Sequence, residues 1–293
     1  VTFGQLNTFL ALARSGSVRG AAAALVVTEP AVSAAVGALQ RDLGVDLVTR
    51  QGRGIVLTPA GETLARYAAE LLGLRDQALR EIRQVRALRL AAVTTAGEYV
   101  VPPLLKAFRG ERPDVQITLE VGNRATVFER LARREVDLAI GGQPPAGSGI
   151  SGTPLLDYRL VVVAASDHEV GDPADETWLL REQGSGTRAT VERFLADNDI
   201  APRSTMTLGS NGAIKQAVAV GLGITLLSNH AAGPELASGL LRRVQMAGAP
   251  LRRTWFVLQR NGGAELPEAA AFRAFCRSRA ARASVLAAIR PPR

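Results

Sequence analysis

The stretch "GSGTR", Gly184 to Arg188, sets two glycines around a serine and follows them with a hydroxyl and a guanidinium. If a helix begins there, Ser185 and Thr187 offer hydroxyls, the first turn offers unpaired N–H groups, and Arg188 adds a cation. That set suits a phosphate or carboxylate. A glycine-rich turn with Arg188 in an ordinary surface ion pair has the same composition, so the motif alone leaves both readings open. Other short polar side chains stand at comparable places: Thr94 and Thr95 in "TTAG", Asn123 in "GNRAT", Gln143 in "GGQPP" and Asn211 in "LGSNGAIKQ". Together these eight residues are the candidate effector-binding set.

A second chemistry is written near the N-terminus. In "TEPAVS" a threonine stands two places before a proline, the signature of an N-cap and a first helical turn. Thr28, Glu29, Pro30 and Ser33 would then face outward from a helix start, and further on Arg50 precedes a "QGRG" turn that contains Arg53. Hydroxyls and guanidiniums are DNA-contacting groups. A glutamate can accept from cytosine N4 but is repelled by phosphate.

Catalytic chemistry has little to stand on. The two histidines, His168 and His230, have no cysteine or carboxylate at metal-ligand spacing, Ser185 has no base nearby in sequence, and "GVDLVTRQGRG" lacks the lysine of a phosphate-binding loop. No catalytic residue, metal site or cofactor is expected, and the chain is read as a non-enzyme.

The elements that must position these residues follow from periodicity. "FGQLNTFLALARSG" places Phe3, Leu6, Phe9, Leu10 and Ala13 at helical spacing and stops at Gly16. Ser17 caps a short helix in which Ala21 to Ala24 permit close approach. Thr28 caps a third helix with Val32, Val36, Leu39 and Leu43 on one face, and "LVTRQGRGIVLT" reads as a hairpin. Helix, short helix, sharp turn, helix, hairpin is the winged helix-turn-helix order, in which one helix crosses the DNA backbone and the next enters the major groove. A helical hairpin of no function would show the same periodicity.

Thr58 and Pro59 start a long helix expected to run to Leu88. Leu64, Leu71, Ala78 and Val85 recur at heptad spacing, with Tyr67, Leu74 and Leu88 alongside. A stripe so narrow calls for a partner helix, and Leu64, Leu71 and Leu74 are the candidate dimerisation residues. From Arg89 onward apolar strands alternate with helices, which predicts parallel sheets covered on both faces. Ligands of such sheets bind at the C-terminal strand ends, where the effector-binding set falls.

Bulk numbers fit this plan. The 293 residues suffice for two or three domains, and the net charge of +8 is uneven: +4 over residues 1–89, −2 over 90–271 and +6 over the last 22. A basic N-terminal part is compatible with DNA; the alternative reading of the whole excess is an arginine-rich coding bias with an exposed tail, which the presence of only two lysines favours. The C-terminal domain is net acidic until its tail, so a local nest of donors must attract any anion there. No apolar run approaches the roughly 18 residues of a membrane span, no basic leader opens the chain, and Cys276 stands alone, so a cytoplasmic protein is expected.

The stretch "FLALARSGSVRGAAAALVVTEPAVSAAVGALQRDLGVDLVTRQGRGIVLTPAG" resembles the LysR-type transcriptional regulators, continuously over about sixty residues. The chain departs from that pattern at Glu29, where glutamine is usual, and at Ala34, where a polar or basic residue is common. The resemblance implies an N-terminal α winged helix-turn-helix (1–58) and a linker helix that dimerises (59–88). It also implies a C-terminal α/β periplasmic-binding-protein-like domain (89–293). That domain would have two subdomains, about 89–160 with 262–293 and about 161–261, with crossings near Tyr158–Ala164 and Thr254–Asn261. "LEVGNRATVFERLARREVDLAIGGQPP" with "GSGTR" looks most like the CbbR/CmpR type, regulators of carbon-fixation and bicarbonate-uptake operons. The implied partners are operator DNA, a phosphorylated small-molecule effector and further copies of the chain, as homodimer or homotetramer, with no membrane. A solute-binding protein is the alternative, because the C-terminal half would suffice for it. Such a protein would carry a signal peptide and no helix-turn-helix.

Overall fold

The computed structural model describes residues 1–52, 54–262 and 265–289. Contacts divide the chain into two compact units, Val1–Val85 with Arg133–Glu135, and Arg86–Ala132 with the chain from Val136 on.

The first unit contains α1 (Phe3–Ser15), α2 (Val18–Leu25), α3 (Glu29–Leu43), the hairpin β1 (Val48–Gln51) and β2 (Gly54–Leu57), and α4 (Pro59–Ile82). Each helix starts on a hydroxyl: Thr2, Ser17, Thr28 and Thr58 accept from the N–H three residues on. Each such cap is worth about 1 kcal/mol. Gly16 and Gly44, at φ +64° and +68°, end α1 and α3 in the left-handed region. Phe9, Val32, Leu39 and Leu47 form the core, with Ala21 and Ala22 buried beside them. Ala23 and Ala24 face out instead, because only one side of so short a helix meets α1 and α3.

α4 docks on this core through Gly61, Ala65, Ala68 and Leu72. A Cβ on Gly61 would lie 2.0 Å from the Leu47 carbonyl oxygen, so the helix approaches backbone to backbone. Gly61→Ala is expected to destabilise this unit by about 1–3 kcal/mol, as overpacked sites do. An unchanged denaturant midpoint would count against that contact. Two expectations are corrected here. The helix ends at Ile82, so Val85 lies beyond it and Leu88 is a buried strand residue. Leu64 packs on its own domain's core rather than joining the exposed stripe.

The second unit runs β3 (Ala87–Val93), α5 (Thr94–Tyr99), α6 (Val101–Glu111), β4 (Gln116–Gly122), α7 (Arg124–Ala132), β5 (Leu138–Gly141) and β6 (Ile150–Ala165). It continues through β7 (Thr177–Arg181), α8 (Gly186–Asp197), β8 (Ser204–Leu208), α9 (Asn211–Ala219), β9 (Thr225–Ser228) and α10 (Gly233–Ala237). It closes with β10 (Leu241–Val244), β11 (Leu251–Arg260), α11 (Pro267–Cys276) and α12 (Arg279–Ile289).

β3 pairs in parallel with β4 and β5, and β7 with β8, as predicted. The main sheet is nevertheless mixed. β6 and β11 run antiparallel from Ile150↔Arg260 to Leu160↔Leu251, and β11 is antiparallel to β5. The reason is topological: the chain leaves one lobe along β6 and returns along β11, so these strands lie side by side in opposite directions. The first half of β6, "ISGTPLLDYR", is mostly half-exposed and shows no apolar run to reveal it.

The first lobe's core holds Leu90, Leu104, Phe108, Leu138 and Phe272; the second's holds Trp178, Phe194 and Leu226. Tyr158 packs against both. The outward crossing lies near Tyr158–Leu160, inside the expected range. The return comes earlier than expected: Leu251 packs on the second lobe, while Trp255 and Val257 are already in the first lobe's core. Residues 255–260 therefore belong to the first lobe, held there by pairing with β5.

Candidate functional site

A cavity of about 550 Å³ opens between the two lobes. The C-terminal ends of β3, β4 and β5 deliver Thr94 and Thr95, Asn123 and Gln143 to its wall, and the start of α8 delivers Ser185 and Thr187. Six of the eight expected effector residues are thus brought together. Tyr158 and Trp255 add an aromatic wall, stacked with ring centroids 4.2 Å apart and 6° between planes.

The local bonding fixes the polar groups. Ser185 caps α8, its Oγ accepting from Arg188 N at 3.4 Å. The N–H groups of Gly186 and Thr187, at the first helical positions, have no partner within the helix and belong to residues that line the cavity. Asn123 Oδ1 accepts from Thr126 N at 3.0 Å, and Thr94 Oγ1 donates to the Gly122 carbonyl at 3.2 Å. Across the cleft, Ala125 N donates to the Gly184 carbonyl at 3.3 Å, so the "GSGTR" turn rests on the "GNRAT" turn.

Arg188 and Asn211 do not line the cavity. Arg188 donates to Glu192 Oε1 (2.7 Å), the Arg181 carbonyl (3.0 Å) and Thr207 Oγ1 (3.2 Å), which tie it down along its own helix and to β8. Asn211 is fully buried behind the site. Its Oδ1 accepts from Arg181 Nη1 at 2.6 Å, and its Nδ2 donates to Thr95 Oγ1 and Glu98 Oε2, both at 3.1 Å. It therefore links the lobes. A neighbouring link runs from Lys215 Nζ to Tyr99 Oη (3.2 Å) and Glu235 Oε1 (2.6 Å). Burial opposes the Lys215 charge, but the hydrogen bonds to Glu235 and Tyr99 outweigh it and raise its pKa.

The cations at the wall were missed by sequence reasoning: Arg124, Arg181, Arg193, Arg252 and Arg253. Among the described residues no Asp or Glu lines the cavity. Arg181 is bound to Glu182, at 2.7 Å from Nε, and Arg193 lies 3.9 Å from Asp197. Arg124 has no carboxylate partner among the described residues. It lies over the Phe128 ring, 4.6 Å from the centroid, and Nη2 donates to the Gln143 carbonyl at 3.0 Å. Burial lowers its pKa, the mark of a cation short of compensation. Arg124 was legible inside "GNRAT"; Arg252 and Arg253 lie on a strand that the apolar pattern did not disclose.

In the first unit, Thr28, Glu29, Pro30 and Ser33 are all exposed at the start of α3, with Val32 turned into the core between them. Arg50 is exposed on β1 opposite Ile55. Arg53 lies outside the described residues. Among those described, no single helix is long and apolar enough to cross a membrane, and no group of three or more His, Cys, Asp or Glu could hold a metal.

Residues 3–62 match the model of the bacterial regulatory helix-turn-helix protein, lysR family, and residues 83–281 match the LysR substrate binding domain. The chain is similar to a RuBisCO operon transcriptional regulator of Allochromatium vinosum, 35% identical over 299 residues, 96% of this chain and 97% of that one. It is also similar to the HTH-type transcriptional activator CmpR of a Synechocystis species, 37% identical over 270 residues and 88% of each chain. Among solved structures it resembles the regulatory domain of CcmR from Synechocystis in complex with 2-PG, at 34% identity and a TM-score of 0.60. That match covers 65% of this chain and 95% of the other. With its two units matched in order by the two models of one family, the chain belongs to the LysR-type transcriptional regulators, oligomeric proteins that bind DNA and small-molecule effectors.

Proposed function

We propose that this chain is a cytoplasmic, non-enzymatic regulator whose action on DNA is set by an anionic, phosphorylated effector held between the two lobes. One observation carries the reading: five arginines, Arg124 among them without a described carboxylate partner, are among the residues lining a cavity that no described carboxylate lines. The helix start at Ser185–Thr187 adds backbone donors on the same wall. The 2-PG complex of the CcmR regulatory domain, a relative at 34% identity, supports the same ligand class. An anion that touches both lobes favours one arrangement of them, and the protein shifts by the difference in its affinity for the two arrangements. A solute-binding role has no use for the helix-turn-helix.

Calorimetry with 2-phosphoglycolate on the full chain is the test. Saturable binding is expected, with a stabilisation of about 2.7 kcal/mol at a hundredfold excess over Kd. A best ligand that is cationic or purely apolar would overturn the anionic reading.

On the DNA side, Thr28, Glu29, Pro30 and Ser33 are assigned to the major groove, and Arg50 and Arg53 to the wing. Ser33→Leu is expected to relax base preference. Arg50→Ala is expected to weaken all sequences alike and reduce the salt slope by about one. Operator affinities unchanged in both variants at fixed salt would remove α3 and the wing from the interface.

A further inference from the structure

We propose a second anion site on the strands that cross between the lobes, in a cavity of about 710 Å³ framed by Arg159, Arg243, Arg252 and Arg253. Arg159 on β6 stands directly opposite Arg252 on β11, and Arg253 follows it opposite Tyr158. Like charges directly opposite each other on paired strands are destabilising, so the fold bears a local cost here. None of the four arginines has an ion-pair partner among the described residues. Asp157, the acidic residue of this wall, has its Oδ1 engaged by Thr254 Oγ1 at 2.7 Å. Other arginines of this unit do find carboxylates, such as Arg203 with Asp175 and Arg273 with Glu265. Overall composition does not produce the cluster either, because residues 90–271 are net −2.

The ligand class follows from the spread of charge. Arg159, Arg243 and Arg252 share a face by register and come from three adjacent strands about 4.8 Å apart, so a single phosphate spans too little of the wall, while Arg253 lies on the other face beside Tyr158. A small molecule with a diphosphate or triphosphate group fits the charge and the space. Tyr158, Arg252, Arg253 and Thr254 line this cavity and also the cleft described above. The two cavities therefore share one stretch of β11, and any effect of occupancy of one site on the other acts by the same factor in both directions. This coupling rests on the proposed effector cleft; the second site itself does not.

The experiment is calorimetry of the full chain with inorganic pyrophosphate at constant ionic strength. An Arg124→Gln background weakens the cleft. One pyrophosphate per chain is expected to bind that background, and adding Arg159→Ser with Arg243→Ser is expected to weaken it by about a hundredfold, as loss of two charge-assisted contacts implies. Neither Arg159 nor Arg243 lines the cleft, so this pair in the wild-type background should leave 2-phosphoglycolate binding unchanged. Arg159→Lys with Arg243→Lys should retain most pyrophosphate binding, which separates lost charge from lost fold. Pyrophosphate that fails to bind the Arg124→Gln chain, or that binds it equally well with both serines present, overturns the second site. Loss of 2-phosphoglycolate binding by the wild type would instead count against the cleft reading alone.

Discussion

A chain carrying Leu71→Glu and Leu74→Glu is expected to sediment as a monomer at concentrations where the wild type is oligomeric. α4 spends one face, Gly61 to Leu72, on its own domain. On its other side Tyr67, Leu71, Leu74 and Ile82 are 55%, 49%, 48% and 77% exposed, an apolar stripe at helical spacing. Such a stripe on a 24-residue helix is expected to be covered by a partner helix. Two carboxylates placed in it would be buried without partners on association, costing several kcal/mol, on the order of the 3–5 kcal/mol for a broken buried pair. Because both leucines are already exposed within the single chain, the variant should fold normally while its operator affinity falls with the loss of the second half-site. Leu64→Glu is the contrasting control. It packs on its own core, so it should lower thermal stability directly. An intact oligomer in the double variant would remove this face of α4 from the assembly.

Arg124→Gln is expected to weaken 2-phosphoglycolate binding by about one to two decades, the worth of a charge-assisted hydrogen bond of roughly 1.5–3 kcal/mol. The guanidinium is half-buried, stacked on Phe128 and without a carboxylate among the described residues, so a bound anion would supply the compensation that the fold leaves out. Arg188→Ala, by contrast, should change affinity little, because that side chain is already committed to Glu192, Thr207 and the Arg181 carbonyl. Calorimetry on the two variants separates them. Equal affinities in Arg124→Gln and wild type would remove Arg124 from the site, and a large loss in Arg188→Ala alone would show that the cation of the "GSGTR" motif holds the ligand after all.

Local signals were enough to place the helix starts. Thr28 with Pro30 and Thr58 with Pro59 mark α3 and α4, because a cap and a missing N–H act within one turn. Thr94, Thr95, Asn123, Gln143, Ser185 and Thr187 could likewise be found from strand ends and helix starts. Short polar residues at those junctions converge wherever the strands are parallel. The end of α4 was not legible. Leu88 continues the heptad count, yet it also alternates with Leu90 into a strand, and only the core of the second unit selects the period of two. Nor was the antiparallel pair β6–β11 legible, since its register joins residues about a hundred apart and its exposed half has no apolar run. That pairing is what carries Arg252 and Arg253 to the cavity. Which arginine is free and which is spent depends on partners such as Glu192, Gln143 and Phe128, and those neighbours exist only once the chain has folded.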